Sequence, residues 1–360
     1  MRAIGKCGEY NFRLLKSVLV YELRRARHNR RAWCMILSAM EPESLQNDAK
    51  APAATASAGS VRFREIALPA ARKGFFALLD LAKVIAPVYF AVALLSYTGL
   101  VTVFANFLAP AMHLFGLPGE AAVVLLTGWL LSIYAALGAL KALNLSAHAI
   151  TALALMVLIC HALPMEWAVL HKMGARATRI SIIRFVVSLL AGAAYALLYR
   201  EQMAVVQPAP AAVAETAKVL LPFLLATGLD CAKLLGLVLA IIVPATVLSE
   251  WLRAKNLMPK IANIFSSRLG RFNPGEGTIL PLLIGLIFGI VYGGGAMIGL
   301  SQAGVVKPSE ARTVGLFLGL CHSLIEDPAV YIAIGASWFW LLVVRTILAI
   351  ILTPLLRRFA

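Results

Sequence analysis

The chain has 360 residues, of which 61% are hydrophobic and 14% charged. Soluble domains sit nearer half apolar and a quarter charged, so an ordinary water-soluble domain is excluded. Lysine and arginine number 33 against 17 acids, a formal net charge of +16, but outside a basic N-terminal extension the excess sits in short loops beside apolar runs. Such loops set orientation in a bilayer and do not form a nucleic-acid surface.

In chain order, residues 1–60 read as a basic extension and flexible linker. Residues 1–36 hold nine Lys/Arg against two acids, and NFRLLKSVLVYELRRARHNRR suits an anionic membrane surface or a solvated cytoplasmic tail. No long apolar core precedes a small-residue cleavage site, so no signal peptide is expected. APAATASAGS (51–60) is linker-like, and 61–77 is expected as an amphipathic interfacial segment. Apolar runs near the roughly 20 residues a bilayer requires cover 82–107, 121–142, 179–200, 219–249, 277–300 and 336–356. Two more, 148–173 and 311–333, carry polar clusters, ICHALPMEWA and LCHSLIEDPA. Backbone hydrogen bonding in lipid makes the runs helical. The alternation of a membrane barrel is absent. The five cysteines, Cys7, Cys34, Cys160, Cys231 and Cys321, are scattered and imply no disulfide framework.

One half of the chain is copied into the other. LDLAKVI (79–85) matches LDCAKLL (229–235), LPGEAAVVLLTG (117–128) matches NPGEGTILPLLIG (273–285), and SIYAALGAL (132–140) matches GIVYGGGAM (289–297). ICHALPMEWAV and LCHSLIEDPAV follow, then IIRFVVSLLAG (182–192) and VVRTILAIILT (343–353), all in one order. The offset from Cys160/Cys321 to Arg184/Arg345 holds at 161. The organisation is thus repeat one at 78–200, a connector at 201–227 and repeat two at 228–358.

Loop charge sets the relation of the repeats. Loop 108–119 has no Lys or Arg, whereas its counterpart 252–272 has Arg253, Lys255, Lys260, Arg268 and Arg271; Lys172, Arg176 and Arg179 follow the first cluster, and 333–338 has no basic residue. Matching loops on opposite faces mean inverted repeats, which need an odd number of crossings each. The expected fold is therefore all-α and membrane-embedded. It has six crossing helices, and 148–173 and 311–333, broken near Pro164 and Pro328, are re-entrant hairpins. Both termini are cytoplasmic. Eight full spans in parallel repeats are the alternative.

Ionisable groups at membrane depth are expensive and mark function. His161, Glu166, His322, Ser323, Glu326 and Asp327 are expected to converge at the hairpin tips and bind a polar solute or cation. Three readings stay open there: a transport site, a metal site drawing on Cys160, His161, Cys321 and His322, or pairing that only holds the hairpins shut. Adjacent Cys and His on one helix project about 100° apart, so both seldom ligate one ion. Glu120 and Glu276, in the two PGE triplets, suit a helix N-terminus or a coordinating role. Tyr134 and Tyr292 suit packing or solute contact. Arg184 and Arg345 either snorkel or meet the acids, with Arg345 expected on Asp327 or Glu326. No Ser-His-Asp, HExxH or phosphate-loop pattern occurs, so no enzyme activity and no cofactor are expected.

GLPGEAAVVLLTG…IYA and CHSLIED resemble the Gate family of membrane proteins, the nucleoside recognition domain, over about 78–358. That domain also occurs in nucleoside transporters, ferrous-iron permeases and spore-maturation proteins. The resemblance implies paired gate repeats and a permease role, and puts weight on Gly119, Glu120, His161, Gly275, Glu276, His322, Glu326 and Asp327. Met165 stands where repeat two has Glu326, so the halves are not equivalent, and no phosphate loop for a GTP-binding domain is present. The expectation is a multi-pass inner-membrane permease of a small polar solute or cation, in contact with lipid and not with nucleic acid. A homo-oligomer or a partner membrane subunit is compatible with it. The alternative is a non-transporting scaffold or maturation factor with a structural gate core.

Overall fold

The computed structural model describes residues 63–143, 145–199, 202, 220–255, 257, 278–302 and 306–360. The basic extension and most of the connector lie outside them. The described residues are all-helical. Five helical stretches among them are long and apolar enough to cross a membrane: Phe63–Tyr97, Ala147–Lys172, Ala177–Tyr199, Leu220–Leu252 and Phe339–Leu356. Leu190 and Leu197 on the third of these face outward, as lipid-facing residues do.

Helix α1 (Phe63–Tyr97) is a single run of 35 residues, about 52 Å long. Residues 63–77, the described part of the expected interfacial segment, are continuous with the first span in this one helix. A short α2 (Leu100–His113) follows. Next come α3 (Ala121–Leu130) and α4 (Ile133–Lys141), joined by two residues and packed on each other. Then come α5 (Ala147–Ile159), α6 (Leu163–Lys172) and α7 (Ala177–Tyr199). Repeat two supplies α8 (Leu220–Ala254), α9 (Ile279–Phe288), α10 (Ile290–Gln302), α11 (Pro308–Leu320) and α12 (Glu326–Ile332). Last is α13 (Phe339–Leu356), whose first six residues, Phe339–Val344, are wound as π-helix.

The equivalent helices α1 and α8 run antiparallel. Lys73 near the start of α1 is 3.1 Å from Glu250 near the end of α8, Gly74 lies against the Val243 backbone, and Tyr97 stacks on Phe223 at the opposite ends.

The helices that fold back are not those expected. The expectation made 148–173 and 311–333 hairpins, yet α5 and α6 do not pack along each other, and neither do α11 and α12. Instead α5 and α6 follow one another down α7. His148 bonds Tyr195, Met156 O accepts from Ser188, Ile159 O accepts from Arg184, and Trp167 donates to Thr178. A hairpin would retrace α7; this stretch descends it. Ala147–Lys172 is thus an interrupted helix whose two halves follow one another and do not fold back. The runs 121–142 and 277–300, expected as single crossings, hold the folded-back pairs α3–α4 and α9–α10. Each of these helices has 9 to 13 residues, at most about 20 Å, short of the roughly 30 Å hydrocarbon core.

The two joints are made differently. Leu131 and Ser132 connect α3 to α4, and the Ser132 hydroxyl caps α4 by accepting from Ala135 N. Gly289 alone connects α9 to α10 at φ 98°, ψ 163°, a conformation essentially reserved for glycine. A side chain there costs of order 1–3 kcal/mol. Loops report which ends share a face. Ser301, at the end of α10, lies against Gly174, and Ser337 N donates to Thr151 Oγ1 near the start of α5.

Candidate functional site

Both interrupted helices break in the same way. α5 ends at Cys160 (φ −138°) and α11 at Cys321 (φ −149°), both in extended conformation. The second residue after each cysteine has a left-handed backbone without being glycine: Ala162 at φ 42° and Ser323 at φ 49°. Both strained residues donate N–H to a folded-back pair, Ala162 to Gly128 O (2.9 Å) and Ser323 to Gly285 O (3.2 Å). A buried arginine caps each break, Arg184 Nε on Ile159 O and Arg345 Nε on Leu320 O, both at 3.2 Å. The arginines thus satisfy carbonyls freed at the helix ends and do not snorkel. Between the breaks the offset remains 161 residues, so the duplication read in the sequence is also a duplication of geometry.

The breaks bring the two histidines together. His161 Nε2 and His322 Nε2 are 3.2 Å apart. His161 Nδ1 lies 3.1 Å from Val157 O and His322 Nδ1 2.7 Å from Leu318 O. Glu166 Oε1 is 3.2 Å from His161 Nε2 and 3.8 Å from His322 Nε2. Glu166 Oε2 is 2.8 Å from Arg184 Nη1, a charge contact without the alignment of a hydrogen bond. Glu166 is 2% exposed and Arg184 0%. Arg184 Nη2 also donates to His161 O at 3.3 Å.

Repeat two differs. Asp327, the counterpart of Glu166, accepts from the Ser323 hydroxyl at 2.8 Å and lies 4.0 Å from His322 Nε2. Glu326 accepts from the Tyr134 hydroxyl. The expected Arg345 pair with Asp327 or Glu326 does not form among the described residues, and Arg345 Nη1 and Nη2 have no hydrogen-bond partner. Sequence explains the asymmetry: Ser323 replaces Ala162 and gives Asp327 its own donor, while Tyr134 engages Glu326.

Of the expected site residues, His161, Glu166, His322, Ser323, Glu326, Asp327 and Tyr134 thus gather around the breaks. Glu120 does not. It begins α3, eight residues and about 12 Å from Gly128, where a carboxylate suits the helix N-terminus. Glu276 lies outside the described residues, as does the side chain of Tyr292. Among the described residues, the group of three or more His, Cys, Asp or Glu able to hold one ion is His161, Glu166 and His322, with ligand atoms within 4.8 Å of one another. Cys160 and Cys321 do not join it; Cys321 Sγ sits 3.7 Å from Thr346 Oγ1. Tyr331, which donates to Ile133 O at 2.8 Å, carried no sequence signal, because repeat one has Leu170 at the matching position.

Comparison with known proteins matches residues 78–177 to the Gate family, described as nucleoside recognition. The chain is 30% identical over 291 residues to the uncharacterized membrane protein YvoD of Bacillus subtilis strain 168, covering 81% of this chain and 93% of YvoD. No solved structure matches.

Proposed function

Because the chain belongs to the Gate, or nucleoside recognition, family of multi-pass membrane proteins, we propose that it is a permease of a small polar solute or cation, with its binding site where the two helix breaks meet. The observation that carries this reading is the convergence of His161, Glu166, His322 and Asp327, all buried, between two interrupted helices of a membrane protein. Polar groups are expensive there and are kept for passage of a ligand.

The proposed arrangement is a pair of inverted repeats, with α3–α4 and α9–α10 dipping in from opposite faces. The antiparallel run of α1 against α8 supports it. Each repeat then has three crossings, for example α1, α5–α6 and α7, and an odd number inverts the second copy. With the N-terminus cytoplasmic, Lys307 and Arg312 stay inside, as the charge rule favours, and Arg357 and Arg358 do too. The proposed home is the inner membrane.

Labelling separates the possible topologies. In a cysteine-free background, Lys141→Cys is expected to react from outside and Lys307→Cys from inside. The reverse pattern would restore hairpins at 148–173 and 311–333, and two inside sites would mean eight parallel spans.

Transport is tested in proteoliposomes offered Na+, Zn2+, an amino acid and a nucleoside. Uptake of at least one is expected, and His322→Ala and Asp327→Ala are expected to abolish it while leaving the protein folded. No flux for any probe, with both variants unstable, supports the scaffold reading instead.

A further inference from the structure

We propose that His161, His322 and Glu166 form a coordination site for a borderline divalent cation of the zinc class. The proposal rests on the reading of the breaks as a binding site and names what binds there.

The argument begins with hydrogens. A carbonyl only accepts, so Val157 O and Leu318 O fix a hydrogen on Nδ1 of each histidine. In the neutral rings both Nε2 atoms are then bare lone pairs, and they face each other at 3.2 Å. Glu166 Oε1, a third acceptor without a hydrogen-bond partner, faces both. Three lone-pair donors in a buried space repel unless a cation stands between them. A backbone carbonyl on Nδ1 is also the usual outer support of a metal-binding histidine.

The spacing fits. Ligand bonds of roughly 2.0–2.1 Å at tetrahedral angles put donor atoms about 3.3 Å apart. Here the separations are 3.2, 3.2 and 3.8 Å. Arg184 holds Glu166 Oε2 and leaves Oε1 for the ion. Two imidazoles and one carboxylate select zinc, iron or cobalt over magnesium and calcium, which take oxygen. The cysteines stand outside the ligand set, which disfavours thiolate-seeking ions. Three protein ligands leave a fourth position open, as suits an ion that arrives and departs. Three carboxylates, Glu166, Glu326 and Asp327, against Arg184 and Arg345 give the surroundings a formal negative balance.

The test uses tag-free, full-length protein in detergent, stripped with chelator and titrated with Co2+. One equivalent is expected to give the intense visible bands of a low-coordinate nitrogen–oxygen site, displaced by Zn2+ and not by Mg2+. His161→Ala, His322→Ala and Glu166→Gln are each expected to weaken binding by more than the roughly 10–100-fold typical of losing an outer-shell partner. Cys160→Ser and Cys321→Ser are expected to leave it unchanged. As a measure free of any variant, Zn2+ is expected to raise the wild-type melting midpoint in a concentration-dependent way. Wild-type protein that binds no metal, the result if a shared proton bridges the imidazoles, overturns the proposal. So does binding that survives both alanine substitutions. Zn2+ binding without uptake of any solute keeps the site and removes the permease reading; uptake of another solute without metal binding does the opposite.

Discussion

Replacing Glu166 with leucine is expected to destabilise the protein by about 3–5 kcal/mol, the typical cost of leaving one member of a buried ion pair alone. Arg184 is fully buried, and Glu166 is its neutralising charge at 2.8 Å. Without the carboxylate, the guanidinium keeps only carbonyl partners, Ile159 O and His161 O. Combining Glu166→Leu with Arg184→Met removes both charges, and that double variant is expected to be more stable than Glu166→Leu alone. Two freed carbonyls keep it below the parent, since a hydrogen bond from a charged group is worth roughly 1.5–3 kcal/mol. The check is a double-mutant cycle of unfolding in detergent. A Glu166→Leu protein that unfolds like the parent would refute the neutralising role.

The second large effect is expected at Gly128. A Cβ there would stand 2.9 and 3.0 Å from the two Val157 methyls and 3.2 Å from Ala136. Val157 is stiff about its branched carbon, so α3 must lift away from α5. Its carbonyl, which accepts from Ala162 N, goes with it. Overpacking costs about 1–3 kcal/mol and the lost hydrogen bond about 0.5–1.5, so Gly128→Val is expected to cost about 2–4 kcal/mol in thermal or denaturant unfolding. Gly236 meets nothing within 4 Å, and Gly236→Ala is expected to stay within about 1 kcal/mol of the parent. Equal stabilities for the two variants would show that close approach at Gly128 is unimportant.

Much of the candidate site's geometry was legible because the chain states it twice. His161 and His322 announce each other at one offset, as do Arg184 and Arg345, and polarity inside apolar sequence marked the place. Which segments fold back was not legible. Pro164 and the polar cluster signal a break, but a break serves an interrupted helix as well as a hairpin. The choice lies in what the halves pack against, and that is tertiary. Conversely, the joint at Leu131–Ser132 has neither Pro nor Gly, so 121–142 reads by length as one crossing. The missed arginine partner has a similar origin: a single serine hydroxyl, Ser323, decides where Asp327 points.

The position of α3–α4 has a mechanical consequence. Its tip is fastened on two sides. Gly128 O takes the N–H of Ala162 in its own repeat, while Ile133 O and the Tyr134 hydroxyl reach Tyr331 and Glu326 in the other. The pair therefore behaves as a latch across the seam: it cannot swing clear of one copy without dragging on its fastenings to the other. Whatever releases Glu326 from Tyr134 loosens the side of the latch that faces the second copy.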